Sequence, residues 1–398
     1  MKNRIARKLI SVAAAGMLVI SLAACGGAGN ANTAQTTVEA KPDIFEEKPA
    51  EPAPAEEPAP AEEPAPAEEP VPEEEPAMEM PAGMYASELT GLPIPEELKN
   101  QRPITAMVDN EIKALDHYGT AQADIVYELM NSTANDRITR LMCVVKDWGA
   151  IEQLGSIRST RPTNIMLTAE YNAVLCHDGG PYHNDAYFAK GFIEHFSGDF
   201  SRVNNGKPRE FTEYILSGDL DRDFSKYNVS TEYDEGFSAD TPHFNFVDYG
   251  KEVDLEGTYD RTYHVKQIIL PFPHNSSLLN YNDETECYEY YEYGKPHLDG
   301  DSGEPLAFTN VFLQKCSFTK LDENGYLVYN CLGSGEGFYI TKGIEKSVSW
   351  VKQDDRDFTR FYDDNGDEIQ VNRGKTYITL VPDDSWDKVQ ANEEIYTE

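Results

Sequence analysis

Two arginines three residues apart, Arg158 and Arg161, are the side chains whose type and spacing best suit ligand chemistry in this sequence. They lie in the segment GSIRSTRP, which leads into a stretch with few helix-breaking residues. Pro162 suits a first helical turn, and Ser159 or Thr160 is expected to cap that helix. A helix N-terminus and two guanidinium groups together offer donors for phosphate, sulfate or carboxylate. The segment predicts an anion-binding site. An equally weighted alternative is that both arginines pair with carboxylates of their own domain.

Further polar residues stand at or near the ends of short apolar segments that predict strands. In open α/β sheets, ligands bind beyond the carboxyl ends of the strands. We therefore expect one cleft to be lined by several members of the following set: Asp109, Asn110, Glu128, Arg140, Arg158, Ser159, Arg161, His177 and Asp178. A histidine beside a carboxylate can act as a general base, and His177 with Asp178 has this arrangement. Histidines in such positions are more often structural residues that hydrogen-bond within the fold.

Alternating strands and helices are predicted for the region that carries these residues, 85–245. This pattern predicts an α/β or α+β N-terminal domain. The predicted strands are 103–108, 124–130, 141–145 and 173–176, and the predicted helices are 164–171 and 185–196.

A β-rich C-terminal domain is predicted for residues 255–385. Its strands include 264–270 and the tyrosine-rich segment 285–293, in which alternate residues indicate one exposed face. The segments DENG and DDNG predict type I turns closed by a glycine bulge. The candidate ligand-binding residues of this domain are His297, Asp299, Asn310 and Lys352.

The amino-terminal residues 1–24 predict a secretory signal peptide. Positive charges precede an apolar core that is too short to span a membrane comfortably. The sequence LAACG at its end resembles the bacterial lipobox, which implies cleavage before Cys25 and lipidation of its thiol. Residues 25–84 then form a tether in which PAPAEE occurs three times, a composition typical of a disordered spacer. We expect a protein anchored by lipid to the extracytoplasmic face of the membrane.

The formal net charge of the chain is −36 at pH 7. Residues 39–80 contain 15 acidic and two basic residues, and so hold −13 of this charge in the tether. The remainder is still acidic, which argues against nucleic acid as a partner.

Five cysteines follow Cys25, and an odd number in an exported protein leaves at least one thiol free. A bulged turn at 322–325 would place Cys316 opposite Cys331, where a cross-strand disulfide and two free thiols are the alternatives. No Cys-x-x-Cys or His-Glu-x-x-His pattern is present, so neither a metal site nor a cofactor is predicted.

Several segments carry a resemblance to a known family: LTGLP at 89–93, RP at 102–103, DN at 109–110, ADIVYE at 123–128, ITR at 138–140 and GSIRSTRP at 155–162. Together with the C-terminal strands, they resemble the YerB-like lipoproteins of Gram-positive bacteria, a two-domain family without an assigned function. The likeness is weaker at KPREF, residues 207–211, where Pro-His-Asn is usual in that family. The resemblance implies a lipid-anchored envelope protein and names no reaction.

The sequence favours a non-catalytic envelope protein that binds an anionic wall polymer or a protein partner. A teichoic-acid phosphate or a peptidoglycan carboxylate would suit the arginine pair. The alternative is a hydrolase or transferase acting on cell-wall glycan or phosphodiester, with His177, Asp178 or Glu128 as acid or base. A third reading is an assembly factor that contacts other proteins through its tyrosine-rich strand. A deep pocket with a perturbed carboxyl or histidine would favour the enzyme.

Overall fold

The structure, a computed structural model, describes residues 78–396. Its first strands are β1 (Met84–Ala86), β2 (Pro93–Pro95), β3 (Ile104–Asp109), β4 (Ile125–Met130), β5 (Thr139–Val145), β6 (Gln153–Gly155), β7 (Val174–His177), β8 (His195–Ser197), β9 (Ser201–Arg202) and β10 (Glu213–Leu216). The later strands are β11 (Thr262–His264), β12 (Gln267–Ile269), β13 (Leu278–Asn282), β14 (Cys287–Glu292), β15 (Lys295–Pro296), β16 (Ala307–Phe308), β17 (Asn310–Cys316), β18 (Phe318–Lys320), β19 (Leu327–Tyr329), β20 (Gly333–Thr341), β21 (Ile344–Lys352), β22 (Arg360–Tyr362), β23 (Thr376–Pro382) and β24 (Gln390–Asn392). The helices are α1 (Pro162–Glu170), α2 (Asp185–Phe188), α3 (Asp219–Tyr227) and α4 (Leu255–Thr258), with 3-10 turns at Glu96–Leu98, Thr120–Gln122, Trp148–Ala150, Tyr182–Asn184, Arg209–Phe211 and Asp383–Lys388.

The predicted signal peptide, the lipidated Cys25 and most of the predicted tether lie outside the described residues. Within residues 78–396, no helix combines the length and the hydrophobicity needed to cross a bilayer.

An eleven-stranded mixed sheet is the centre of the fold. Its strand order is β11–β21–β20–β17–β23–β4–β5–β3–β7–β8, and β22 pairs with β21. Every residue of β3, β4 and β5 is buried, as expected for apolar strands covered on both faces. The sheet is continuous across the two regions of the sequence, because β23 pairs in parallel with β4.

The helix α1 covers part of this sheet, and all nine of its residues are buried. The hydroxyl of Thr168 lies 2.7 Å from that of Thr105 in β3, so polar contacts as well as apolar ones hold the helix against the sheet. The expected cap at Ser159 or Thr160 is wrong. Arg161 is the N-cap residue, and its backbone N–H donates to Asn164 Oδ1 at 3.0 Å.

A second sheet of six strands, in the order β15–β14–β13–β12–β24 with β16 beside β14, lies in the C-terminal region. In β14 the side chains of Tyr288, Tyr290 and Glu292 are buried, and the alternate residues are partly exposed. This is the predicted alternation. The prediction of a strand-rich C-terminal region after a region of mixed strands and helices is confirmed.

Two predicted elements are wrong in extent. The helix predicted at 185–196 ends at Phe188, and Gly191 has a φ of 69°, which a right-handed helix does not allow. Residues 195–197 instead form β8 beside β7. The strand predicted at 264–270 is two strands in different sheets, because the chain leaves β21 after His264 and joins β13 at Gln267.

Both Asp-x-Asn-Gly turns have the predicted form. The amides of Gly325 and Gly366 donate to the carbonyls of Asp322 and Asp363, and both glycines have a positive φ. The strands on either side of the first turn pair with Phe318 opposite Tyr329, and the same register continued by two residues puts position 316 opposite position 331. The five cysteines of the described residues are free thiols, including these two.

We expect the two turn glycines to respond differently to alanine. Gly366 has open space around a new Cβ, so Gly366→Ala should cost only about 1 kcal/mol of unfolding free energy, for the left-handed backbone. At Gly325 the new Cβ would lie 2.6 Å from Thr133 Oγ1 and 2.9 Å from Ala134 N. Gly325→Ala should therefore cost more than about 2 kcal/mol. Urea unfolding measures both, and equal costs would show that the packing of this turn against residues 132–134 is not tight.

Candidate functional site

Three of the predicted arginines meet at a polar cavity of about 310 Å³, here called the arginine pocket. It is lined by Asp109, Glu111, Asn131, Ser132, Ala134, Asn135, Ile138, Arg140, Arg158, Arg161, Glu210, Asn324 and Tyr326. Arg140 stands opposite Asp109, where β5 pairs with the end of β3. Arg158 lies beside the same strand, since its N–H donates to the carbonyl of Met107 at 2.8 Å. Of the nine residues that the sequence suggested for one cleft, four line this cavity: Asp109, Arg140, Arg158 and Arg161.

A single buried carboxylate, that of Asp109, contacts two of the arginines. Arg158 Nε donates to Asp109 Oδ2 at 2.8 Å, and Arg140 Nη2 lies 3.5 Å from Asp109 Oδ1. Burial opposes ionisation of Asp109, but the charges of Arg140 and Arg158 outweigh it and hold its pKa below the usual value. Arg158 also reaches the half-exposed Glu210 at 2.6 Å. Arg158 therefore pairs with two carboxylates of the protein itself, which is the alternative to anion binding that the sequence left open.

Arg161 is in a different electrostatic position. Its side chain is 7% exposed, yet it makes no ion pair with a carboxylate of residues 78–396. Its Nη1 donates to the carbonyl of Thr160 at 2.8 Å, its Nε reaches the carbonyl of Asn131 at 3.3 Å, and its guanidinium lies 4.5 Å from the ring centre of Tyr326. Burial, and next the charge of Arg140, lower the pKa of Arg161 to about 9. The pocket therefore contains a buried positive charge that only neutral groups contact.

The far wall of the pocket comes from the C-terminal region. Asn324 and Tyr326 belong to the turn between β18 and β19, and the hydroxyl of Ser132 donates to the carbonyl of Asn324 at 3.1 Å. Sequence reasoning did not include these two residues in the site. The Asp-x-Asn-Gly signal predicted the turn itself but contained no information about what the turn would contact.

His177 and Asp178 do not line the arginine pocket, although the N–H of Asp178 donates to the carbonyl of Arg158. His177 Nδ1 donates to the carbonyl of Gly179 at 2.8 Å, and its Nε2 lies 3.0 Å from His195 Nδ1. Burial lowers the pKa of His177 to about 4. The carboxylate of Asp178 pairs with Arg202 at 3.0 Å. Their contacts in the structure are those of structural residues.

Glu128 and Asn110 lie inside the fold, behind Asp109. Glu128 accepts hydrogen bonds from Thr139, Asn275 and Tyr377, at 2.7, 2.8 and 2.6 Å. Burial raises the pKa of Glu128, and these donors oppose that change. The amide of Asn110 joins the same network. These residues connect strands, and neither of them lines the arginine pocket.

Three further candidates have structural contacts. Lys352 is fully buried and lies 3.2 Å from Glu170 at the end of α1. Asn310 donates to the carbonyl of Asn372 at 2.8 Å. Ser159 offers its carbonyl to Arg140 Nη1 at 2.8 Å.

His297 and Asp299 belong to a second buried polar cluster. His297 Nδ1 lies 2.8 Å from Glu292 Oε1, and its Nε2 lies 3.0 Å from Thr120 Oγ1. The ring centre of His117 is 5.0 Å from that of His297. Burial raises the pKa of Glu292 to about 7 and lowers the pKa of each histidine to about 4. Asp299 Oδ2 accepts from the N–H of Ala121 at 3.0 Å.

Sequence reasoning did not identify His117 or Glu292 as site residues. His117 is an isolated histidine in the loop after β3, and Glu292 stands in a run of tyrosines and glutamates. The only usable signal was the alternation along β14, which places position 292 on the buried face.

Comparison with known proteins gives matches over most of the described chain. Residues 89–230 match the family model described as "Protein of unknown function (DUF3048) N-terminal domain", and residues 268–378 match the corresponding C-terminal domain. A Bacillus subtilis (strain 168) protein named "Putative lipoprotein YerB" is 25% identical over 309 residues, which are 74% of this chain and 86% of that protein. The crystal structure of YerB from Bacillus subtilis covers 77% of this chain and 99% of its own, with a TM-score of 0.65 and 21% identity, so it shows the shared fold.

Removing the buried carboxylate of the arginine pocket should destabilise the protein strongly. Asp109→Asn leaves the buried guanidinium of Arg140 without a charge partner, and we expect a loss of about 3–5 kcal/mol in unfolding free energy. The matched control is Glu210→Gln, which removes a half-exposed partner of Arg158 and should cost at most about 1 kcal/mol. Urea unfolding of both variants is the measurement.

A double variant distinguishes the cost of leaving a buried charge unpaired from the cost of altering the packing. Asp109→Asn combined with Arg140→Met removes both buried charges and should recover part of the lost stability. If Asp109→Asn costs no more than Glu210→Gln, the ion pairs of Asp109 do not hold this part of the fold together.

Proposed function

Since this chain belongs to the YerB-like family with its two DUF3048 domains, we propose that it is a lipid-anchored envelope protein whose arginine pocket binds an anionic ligand. The lipobox-like LAACG sequence, with lipidation at Cys25, supports the anchor, and so does the name of the Bacillus relative. The anchor would hold the folded part on the extracytoplasmic face of the membrane, where wall polymers and other envelope proteins are the available partners.

One observation carries the binding proposal: the buried positive charge of Arg161 has no carboxylate partner among residues 78–396. Within the pocket, two buried guanidiniums, of Arg140 and Arg161, stand against one buried carboxylate, that of Asp109. A buried charge without a partner is costly, and a bound anion would supply that partner. The excess of buried positive charge in the pocket therefore favours binding of an anionic group.

The chemistry of the donors favours phosphate or carboxylate. Guanidinium groups bind such anions with two parallel hydrogen bonds, and Arg161 Nη2 makes none with residues 78–396. A volume of about 310 Å³ is at the small end of ligand pockets, so it suits one anionic group with its neighbours better than a long glycan. A teichoic-acid phosphate and a peptidoglycan carboxylate both fit this description.

Binding is better supported than catalysis at this pocket. Among the described residues that line it, none is a histidine or a cysteine. Its carboxylates are engaged, since Asp109 and Glu210 pair with arginines and Glu111 pairs with Lys113 at 3.2 Å. Glu111, whose partner Lys113 is largely exposed, is therefore the one lining carboxylate that no arginine of the described residues contacts.

The test is a calorimetric titration of the full chain in detergent with glycerol-phosphate oligomers and, separately, with muramyl peptides. We expect the ligand that fits to bind in a salt-sensitive way and to raise the melting temperature. Arg161→Gln should weaken it about 10-fold to 100-fold, the value of one or two charge-assisted hydrogen bonds.

Arg261→Gln is the matched control, because Arg261 pairs with the exposed Asp364 on the surface and does not line the pocket. This control should bind as wild type does. Equal affinity of Arg161→Gln and Arg261→Gln for every anion, with both variants folded by circular dichroism, would overturn the proposal.

A further inference from the structure

A buried cluster of His117, Glu292 and His297 lies apart from the arginine pocket. One possible ligand atom from each of the three lies within 4.8 Å of the others. The side chains are 0, 2 and 4% exposed. They come from the loop after β3, the end of β14 and the residue after β15, so only the fold brings them together.

The hairpin of β14 and β15 sets two of these side chains side by side. Tyr293 and Gly294 both have positive φ, which makes the two-residue turn that reverses the chain between Glu292 and Lys295. The N–H of His297 then donates to the carbonyl of Tyr290 at 2.9 Å. This geometry leaves Glu292 Oε1 2.8 Å from His297 Nδ1.

Two atoms of the cluster, His117 Nδ1 and Glu292 Oε2, have lone pairs that accept no hydrogen bond from the described residues. His117 Nε2 contacts the carbonyl of Asp109, which can only accept, so the proton is on Nε2 and Nδ1 is bare. His117 Nδ1 and Glu292 Oε2 are both buried and have no hydrogen-bond partner within the described part of the chain. Buried polar atoms are usually paired, so these two atoms are free to bind a group that the described residues do not supply.

The outer contacts of both histidines are those of metal ligands. A ligating histidine generally donates its second N–H to a carbonyl, a carboxylate or a comparable acceptor, which fixes the ring. His117 has the carbonyl of Asp109 in this role. For His297, the hydroxyl of Thr120, 3.0 Å from Nε2, takes this role when a metal ion replaces the proton shared between His297 Nδ1 and Glu292 Oε1. The Thr120 hydroxyl is in turn 3.5 Å from Asp299 Oδ2, so it can donate there and accept from His297.

We propose that His117, Glu292 and His297 bind a divalent transition-metal cation, of which zinc is the first choice. Two imidazole nitrogens and one carboxylate are a donor set that zinc uses in sites with an open coordination position. Within residues 78–396, the carboxylate of Glu292 has no lysine or arginine partner, so the cation would also balance its charge. Zinc bonds of about 2.0–2.1 Å require side-chain movements on the order of 1 Å to close the site.

A cavity of about 260 Å³ gives this cluster a connection to its surroundings. Glu292 and His297 line it, together with Asp116, Lys295 and Leu298 among others. A metal ion held by the three side chains would therefore have a path of entry and room for a further ligand on the cavity side. The absence of any local zinc motif in the sequence does not argue against this, because the ligands are separated by up to 180 residues.

The test uses the full chain without an affinity tag, purified in detergent, stripped with a chelator and dialysed against Zn²⁺ or Co²⁺. We expect one metal ion per chain by elemental analysis, a higher melting temperature, and visible absorption bands from bound Co²⁺. Glu292→Gln keeps the shape of the side chain and removes the anionic ligand, so its affinity for Zn²⁺ should fall by more than about 100-fold.

Two further variants make the result specific. His264→Gln changes an exposed histidine outside the cluster and should bind as wild type does. Thr120→Val removes the hydroxyl that orients His297 and should weaken binding by about 10-fold to 100-fold while the Co²⁺ bands persist. The proposal is overturned if wild type retains well under one equivalent of either metal, or if Glu292→Gln retains as much as wild type.

Discussion

The parallel pairing of β23 with β4 is the interaction on which the rest of this structure depends. Five residue pairs, from Thr376 with Ile125 to Leu380 with Leu129, join a strand near the end of the chain to one near its beginning. Beside this seam, the hydroxyl of Tyr377 donates to the buried carboxylate of Glu128 at 2.6 Å. A charged group inside a sheet is tolerated only with such donors, so the seam and the network stabilise one another.

The end of β3 is the point where the two polar centres of the molecule meet. The side chain of Asp109 faces Arg140 and Arg158, and its backbone carbonyl faces His117. The next residue, Asn110, donates to the network of Glu128 and accepts from Tyr293 through its carbonyl. Asp109 thus contacts the arginine pocket through its side chain and the histidine cluster through its backbone carbonyl. A shift of this strand end would disturb both centres together.

The strength of local signals explains which predictions agree with the structure. The buried strands β3, β4 and β5 are continuous apolar runs, and the turns at Gly325 and Gly366 have a specific backbone requirement. At the helix predicted for 185–196, the glycine at 191 has a positive φ and residues 195–197 pair with β7, so only the first turn is helical. The segment 264–270 looked like one strand because periodicity cannot show that a chain changes sheets at Val265.

The candidate site residues fall into two groups: some line the arginine pocket, and others contact only groups within the described fold. Arg140, Arg158 and Arg161 share a pocket with Asp109. His177, Asn310 and Lys352 were equally suggestive by type, but their partners are the carbonyl of Gly179, the carbonyl of Asn372 and the carboxylate of Glu170. Whether a polar side chain faces a cavity or a partner depends on elements far away in the chain.

The sequence by itself determined the properties that depend on neighbouring residues: the lipobox-like motif, the acidic composition of residues 39–80, the apolar strands and the turn glycines. Each is specified by composition or by contacts within a few positions, which a single chain displays directly. Only the tertiary structure decided that Arg161 has no carboxylate partner among the described residues and that His117 meets Glu292 and His297. Charge pairing and burial are relations between distant segments, and their outcome is set by the pairing of strands across the whole chain.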